Sequence, residues 1–240
     1  MNMMHLNIEN LTSLWQVAGE AFHAYSNKEG VCISQIKNTG WPNRIWTNHL
    51  LNGDMIGQLK ITMQNKRELT LSYFNEDKNN ELLRTNTHFK HKSLQYGMSL
   101  PLVNSFDTKK AIEFRKVEER ESAALWCESF HKSFSYDIGL ETVIKTKDKI
   151  RYYLLYHEDI LLGTVVLFIT GKVAGIHSLG ILPDQRKKGF ATEIMHHLLN
   201  KCLTEQLEIA TLQASQAAKE MYLKIGFSLD FFMENYILND

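Results

Sequence analysis

Hydrophobic and polar positions are most readable in the second half of the chain. Ile112–Val117 predicts a short strand, and across Glu118–Phe130 the apolar residues Ala123, Leu125, Trp126 and Phe130 recur at helical spacing. Arg151–Tyr156, Ile160–Ile169 and Val173–Leu182 predict three strands, separated by turns at Glu158-Asp159 and Gly171-Lys172. Strands joined by such tight turns form an antiparallel meander. Ala191–Gln206 carries apolar residues at 191, 194, 195, 198, 199, 202 and 203, the stripe of an amphipathic helix. Glu208–Gln213 predicts a strand, Gln216–Ile225 a helix stopped by Gly226, and Phe231–Leu238 a last strand. The order is β-α-βββ-α-β-α-β. Where a meander gives way to a βαβ crossover, such a sheet can open a cleft.

The first half is less regular. Leu11–Tyr25 predicts a helix, Arg44–Leu51, Met55–Met63 and Glu68–Phe74 predict strands, and Glu81–Phe89 a helix. Both halves are therefore expected to be mixed α/β. The polar stretch 104–110, close behind Pro101, marks the expected boundary between residues 1–110 and 111–240.

Composition narrows the function. The 240 residues carry 27 Lys+Arg and 27 Asp+Glu, with the halves at +3 and −3. A nucleic-acid binder needs surplus positive charge to displace counterions, so no nucleic-acid partner is expected. Cys32, Cys127 and Cys202 are far apart and odd in number, which suits a reducing compartment. The N-terminal residues lack a basic segment followed by a long apolar run, and the longest apolar-rich run, Ile160–Ile169, is half a membrane span. A soluble, cytoplasmic protein with no membrane partner is expected.

The chemistry concentrates at Leu182-Pro183-Asp184-Gln185-Arg186-Lys187-Lys188-Gly189-Phe190-Ala191-Thr192. A strand ends, a basic loop containing a glycine follows, and a long helix begins at once. The first N–H groups of a helix lack intrahelical partners and its dipole favours an anion there. Gly189 and Ala191 allow close approach of a ligand, Thr192 offers a hydroxyl, and Arg186, Lys187 and Lys188 bring positive charge. The competing reading is a solvated basic turn at a helix start. His196 and His197 form no metal-ligand set with another His, Cys or carboxylate, so no metal is implied.

Arg186-Lys187-Lys188-Gly189-Phe190-Ala191 resembles the R/Q-x-x-G-x-G/A acetyl-CoA signature of the GCN5-related N-acetyltransferase (GNAT) superfamily, with Pro183 three residues ahead of it. Leu212–Phe227, ending in Tyr222-Leu223-Lys224-Ile225-Gly226-Phe227, resembles the strand–helix block that ends Y-x-x-x-G-F in that family. The resemblance covers roughly residues 111–240. It implies a GNAT fold there and acetyl-CoA as cofactor. It further implies that the backbone at Leu179, Gly180 and Ile181 holds the acetyl carbonyl and pantetheine arm, and that N–H groups from Arg186 to Thr192 cradle the pyrophosphate. Ser215 and Ala218 would lie along the cofactor, Ser215 standing where many members have Asn. Tyr222 would be the general acid for the leaving thiolate; the alternative is a core aromatic. His177 stands where many members have Glu and has the ordinary pKa of a base; the alternative is that it points into the sheet or merely lines the pocket.

Trp41-Pro42-Asn43-Arg44 and Gly97-Met98-Ser99-Leu100 resemble the first halves of two-domain acetyltransferases, where a degenerate GNAT-like unit precedes the active one. That resemblance implies that residues 1–110 shape the acceptor pocket, with Trp41, Trp46 and Tyr73 as lining candidates. The function expected is direct acetyl transfer from acetyl-CoA to a primary amine of a small molecule or amino acid. The alternative class is an acyl-CoA-binding sensor that turns nothing over.

Overall fold

The structure, a computed structural model, describes residues 2–47, 49–76 and 81–239. Eleven strands of the described residues join in one mixed sheet. The first half contributes helix α1 (Met3–Glu20), strands β1 (Tyr25–Lys28), β2 (Val31–Ser34) and β3 (Arg44–Thr47), helix α2 (Gly53–Asn65), strand β4 (Thr70–Asn75), the short helix α3 (Glu81–Arg84) and the long strand β5 (Phe89–Pro101). The second half contributes β6 (Glu113–Lys116), α4 (Arg120–Phe134), α5 (Leu140–Thr146), β7 (Arg151–His157), β8 (Ile160–Thr170), β9 (Val173–Ile181), α6 (Phe190–Thr204), β10 (Ile209–Ala214), α7 (Lys219–Ile225) and β11 (Ser228–Leu238).

The strand order is β1-β2-β3-β4-β11-β5-β10-β9-β8-β7-β6. The meander β7-β8-β9 has the antiparallel pairing its tight turns require, and Glu158 and Asp159 both take positive φ in the first turn. The sheet does not stop at the middle of the sequence. β5, from the first half, lies between β10 and β11 and pairs antiparallel with both.

Several expectations are corrected. Met55–Met63 is helical, inside α2, rather than a strand. Its buried residues are Ile56, Leu59 and Met63, spaced for one helix face, while Ile61 is exposed and breaks the apparent strand pattern. Asn52 caps this helix by accepting from the Met55 N–H. Between β6 and β7 there are two helices, not one; α5 follows a left-handed Ser135 that ends α4. The strand expected over Arg44–Leu51 ends at Thr47, and position 48 lies outside the described residues.

Helices cover both faces of the sheet. α6 and α7 pack on one face over Ala174, Ile176, Ala210 and Leu212, and α2 packs over Ile45 and Leu71 on the same side. α1, α4 and α5 cover the other face, with Trp126 and Phe130 of α4 on Tyr152, and Trp15 of α1 beside Trp46. Trp46 is therefore core, and Tyr73 packs with the α2 cluster on the far face. No helix of the described residues is long and apolar enough to cross a membrane.

Because β5 is shared, the halves should unfold together. Met98, fully buried on β5, is the probe. Met98→Ala should cost about 2–5 kcal/mol, with far-UV circular dichroism and tryptophan fluorescence melting in one transition. Two separated transitions would mean that the sheet does not couple the halves.

Candidate acetyl-CoA site

The site begins where two strands part. β9 and β10 pair in parallel only over Val173–Gly175 and Ile209–Thr211. Beyond Gly175 and Thr211 the two run on without a ladder between them. On its other side β9 carries a bulge against β8: Thr164 faces Gly180 and Val166 faces His177, so Ser178 and Leu179 together oppose Val165. Ser178 takes the left-handed conformation, φ +54°. The expected triad Leu179, Gly180 and Ile181 thus lies just past the bulge, at the open end of the parted strands. Gly180 is also where α4 comes closest: a Cβ there would lie 2.5 Å from the Phe134 ring and 2.7 Å from Ser133.

After Ile181 the chain makes one tight 3-10 turn, Pro183–Gln185, and enters α6 through Gly189. Gly189 has φ +81°, a left-handed conformation costly for other residues. A Cβ there would meet nothing within 4 Å, so the backbone faces open space. No side chain caps this helix start. A groove of about 270 Å³ lies here, lined by Ile181, Gln185, Arg186, Lys187, Gly189, Phe190, Ala191, Thr192 and Met221. Uncapped N–H groups, an empty cradle at a glycine and neighbouring cations fit a pyrophosphate.

The side chains divide the work. Arg186 does not face the groove alone: its guanidinium donates to the Ile181 and Ser133 carbonyls, both at 3.0 Å, tying the loop to β9 and α4. Lys188 donates to Gln185 Oε1. A further cation comes from Lys110, whose Nζ lies 3.2 Å from the Lys188 carbonyl and 4.6 Å from the Phe190 ring centroid. Lys110 was not singled out by the sequence pattern, because it lies 78 positions before that carbonyl. Its segment is pinned by Glu193 of α6, which accepts the N–H groups of Lys109 and Lys110. Burial alone would raise the Glu193 carboxyl; these amide bonds outweigh it and hold it below its usual value. His196 and His197 contact the Asp107 and Lys110 carbonyls and so secure the same segment.

Tyr222 of α7 is 7% exposed and packs edge-on to Phe227, in the cluster that includes Leu212, Ala214, Leu179 and Ile181. Burial raises its pKa well above that of an ordinary phenol, so the hydroxyl keeps its proton. Among the described residues that hydroxyl has no hydrogen-bond partner. Ala218 packs against the same cluster, and Ser215 is exposed at the turn before α7, where its carbonyl accepts from Ala218 and Lys219.

His177 lies on the opposite face from α6, beneath α1. Its Nε2 is 3.1 Å from Asn10 Oδ1 and its Nδ1 is 3.2 Å from Gln213 Oε1. Both amides are oriented by further bonds: Asn10 Nδ2 donates to the Phe168 carbonyl, and Gln213 Nε2 donates to Asn7 Oδ1. Burial pushes the His177 pKa down to about 4, against the opposing effect of Gln213. The sequence named His177 but not its partners, since Asn7 and Asn10 are over 160 positions away.

The comparisons with known proteins agree with this geometry. Residues 112–227 match the model of the acetyltransferase (GNAT) family. That part of the chain belongs to the GNAT family, whose members transfer an acyl group from acetyl-CoA. Among solved structures, a GCN5-related N-acetyltransferase from Kribbella flavida superposes with TM-score 0.68 at 9% identity, covering 94% of this chain and 95% of that one. One from Sphaerobacter thermophilus gives 0.63 at 12% identity, covering 86% and 76%. A tandem GNAT protein from the clavulanic acid biosynthesis pathway gives 0.56 at 9% identity, covering 96% and 94%. At such identities the likeness is one of fold. It extends over nearly the whole chain, in keeping with the two-domain form. No curated protein matches the sequence.

Two measurements test the site. Gly189→Glu places a strained, negatively charged side chain in the cradle and should abolish coenzyme A binding by calorimetry; retained binding would remove the loop from the site. The second concerns His177. Its folded pKa lies below the unfolded value, so the unfolded chain binds the proton first as pH falls. Stability is then lost between about pH 6.5 and pH 4, by at most about 3 kcal/mol. His177→Gln should flatten that part of the stability–pH curve, measured by denaturant unfolding.

Proposed function

We propose that the protein transfers an acetyl group from acetyl-CoA directly to a primary amine of a small molecule or amino acid. The observation that carries this reading is the uncapped start of α6 at Gly189, set beside the open ends of β9 and β10. One feature holds the pyrophosphate and the other leaves backbone groups free for the acetyl-bearing arm. Residues 111–240, joined by Lys110, supply the donor side, and the rest of the first half the acceptor side. Three unpaired thiols suit a reducing, cytoplasmic setting.

Acetyl-CoA supplies an acetyl group activated as a thioester. In transfer, the C–N bond forms as the C–S bond breaks, the amine loses a proton and the sulfur needs one. Backbone N–H groups between Arg186 and Thr192 fix the pyrophosphate, with Lys187, Lys188 and Lys110 adding charge. N–H groups near Leu179 and Ile181 polarise the carbonyl. Tyr222, buried and protonated, donates to the departing sulfur. For the amine's proton, water in the cleft is the better acceptor. Burial lowers the pKa of His177 to about 4 and so makes it a weak base. His177 then orients the wall of the acceptor side in its neutral form.

Free thiol release from acetyl-CoA with a panel of amines is the direct test. Amine-dependent release supports transfer; tight coenzyme A binding without amine-dependent release would instead make the protein an acyl-CoA sensor. Tyr222→Phe should lower kcat by about 10²-fold or more with little change in affinity for acetyl-CoA. An unaltered kcat would move the acid role to solvent.

A further inference from the structure

Among the described residues, Arg44 is a cation with no counter-ion. It lies on β3, opposite Thr70 of β4, on the sheet face that α1 covers. From Thr70 the same face runs through Ser72, Asn235 and Gln95 towards Gln213 and His177, because residues paired across strands share a face. These side chains are linked. Ser72 donates to Asn235 Oδ1 at 2.8 Å, Asn235 donates to Gln95 Oε1 at 3.2 Å, and Gln95 donates to the Gln213 carbonyl at 3.3 Å. A polar floor therefore extends from the parted strands β9 and β10 to Arg44.

At the far end of that floor, the guanidinium of Arg44 lies 5.6 Å from the centroid of the Trp15 ring, and its Nε is buried without a hydrogen-bond partner. Lys92 sits beside it, donating to Thr70 Oγ1 at 3.1 Å. Among the described residues no carboxylate pairs with either cation. Burial lowers the pKa of both, and the charge of Arg44 lowers Lys92 further. Tyr136 faces Arg44 from the α4–α5 connection: it is 42% exposed, yet burial raises its phenol against the pull of Arg44. Arg44 is partly buried and Lys92 is exposed, and the two bring positive charges together with no acid paired to them among the described residues, an arrangement that favours an anion.

We propose that Arg44, with Lys92, binds a carboxylate of the acceptor, so that the substrate is an amine bearing an acid group at the end remote from the reacting nitrogen. The proposal rests on the reading of the protein as an acetyltransferase. The planar guanidinium fork matches a carboxylate in two-point contact, and Lys92 adds a point charge. Four strand-to-strand steps of ~4.8 Å separate β3 from β10, so the acid and the amine are held far apart. Ser72 and Asn235 are buried and bonded to each other, so between acid and amine it is the half-buried Gln95 and Gln213 that offer amides to a polar, peptide-like stem.

The test uses the whole protein saturated with coenzyme A. Calorimetry compares a free tripeptide with its C-terminal amide, and a ladder of ω-amino acids with their carboxamides; the same pairs are run as acetyl acceptors. At least one acid should bind about 10- to 100-fold more tightly than its amide. Arg44→Met should erase that preference, leave acetyl-CoA affinity unchanged, and keep Tm the same or raise it, because a partly buried cation with no carboxylate partner among the described residues is removed. Arg44→Lys should restore part of the preference. Equal affinity for acid and amide throughout both series overturns the proposal, as does an Arg44→Met protein that loses stability but keeps the preference. Selective acid binding without acetylation of any amine would leave the anion site standing and defeat the transfer reading. Acetylation without acid preference would do the reverse.

Discussion

The site depends on one strand edge being left open, and β5 makes that tolerable. β10 loses β9 as a partner after Thr211, which would ordinarily expose unpaired backbone groups and let the strand fray. Its other edge is held along its whole length, from Ile209 opposite Pro101 to Ala214 opposite Tyr96. β5 in turn is gripped on its far side by β11. A strand contributed by the first half therefore keeps the second half's parted pair in place. The free edge can then serve a ligand without costing the sheet its continuity. The bulge at Ser178 and Leu179 completes the device by turning β9 away at the same level.

Charge follows a similar division between whole and part. The chain is neutral overall, and that total conceals two separated groups of cations. Lys187, Lys188 and Lys110 gather at the start of α6 from two distant stretches of sequence. Arg44 and Lys92 meet on the other face, from β3 and β5. One carboxylate near the first group is occupied: Glu193 is bound to the backbone of Lys109 and Lys110. Positive charge is thus left available at two places, at opposite ends of the path from one sheet face to the other.

Much of the second half was legible because its elements obey local rules. The meander follows from tight turns at Glu158-Asp159 and Gly171-Lys172, and the long helix from an apolar stripe seven residues deep. The donor loop was legible for the same reason, since a strand end, a glycine and a helix start are contiguous. The first half misled where local pattern was ambiguous. Met55–Met63 ends in an alternation, Leu59-Lys60-Ile61-Thr62-Met63, that reads as a strand, and only the burial of Ile56, Leu59 and Met63 against the sheet, with Ile61 left outside, decides for a helix. Trp46 and Tyr73 looked equally suited to line a pocket, yet they lie on opposite faces of the sheet.

The sequence by itself determined most elements of residues 111–240, α5 excepted, and the glycine-bearing basic loop between β9 and α6, because each depends on neighbours a few positions apart. Tertiary structure decided what the loop works with. The insertion of β5 between β10 and β11, the approach of Lys110 to the α6 start, the clasp of Asn10 and Gln213 on His177 and the unpaired state of Arg44 all join residues tens to hundreds of positions apart. Hydrophobic periodicity reports which face of an element is buried, but not which other element buries it. That choice is made by the packing of the whole sheet.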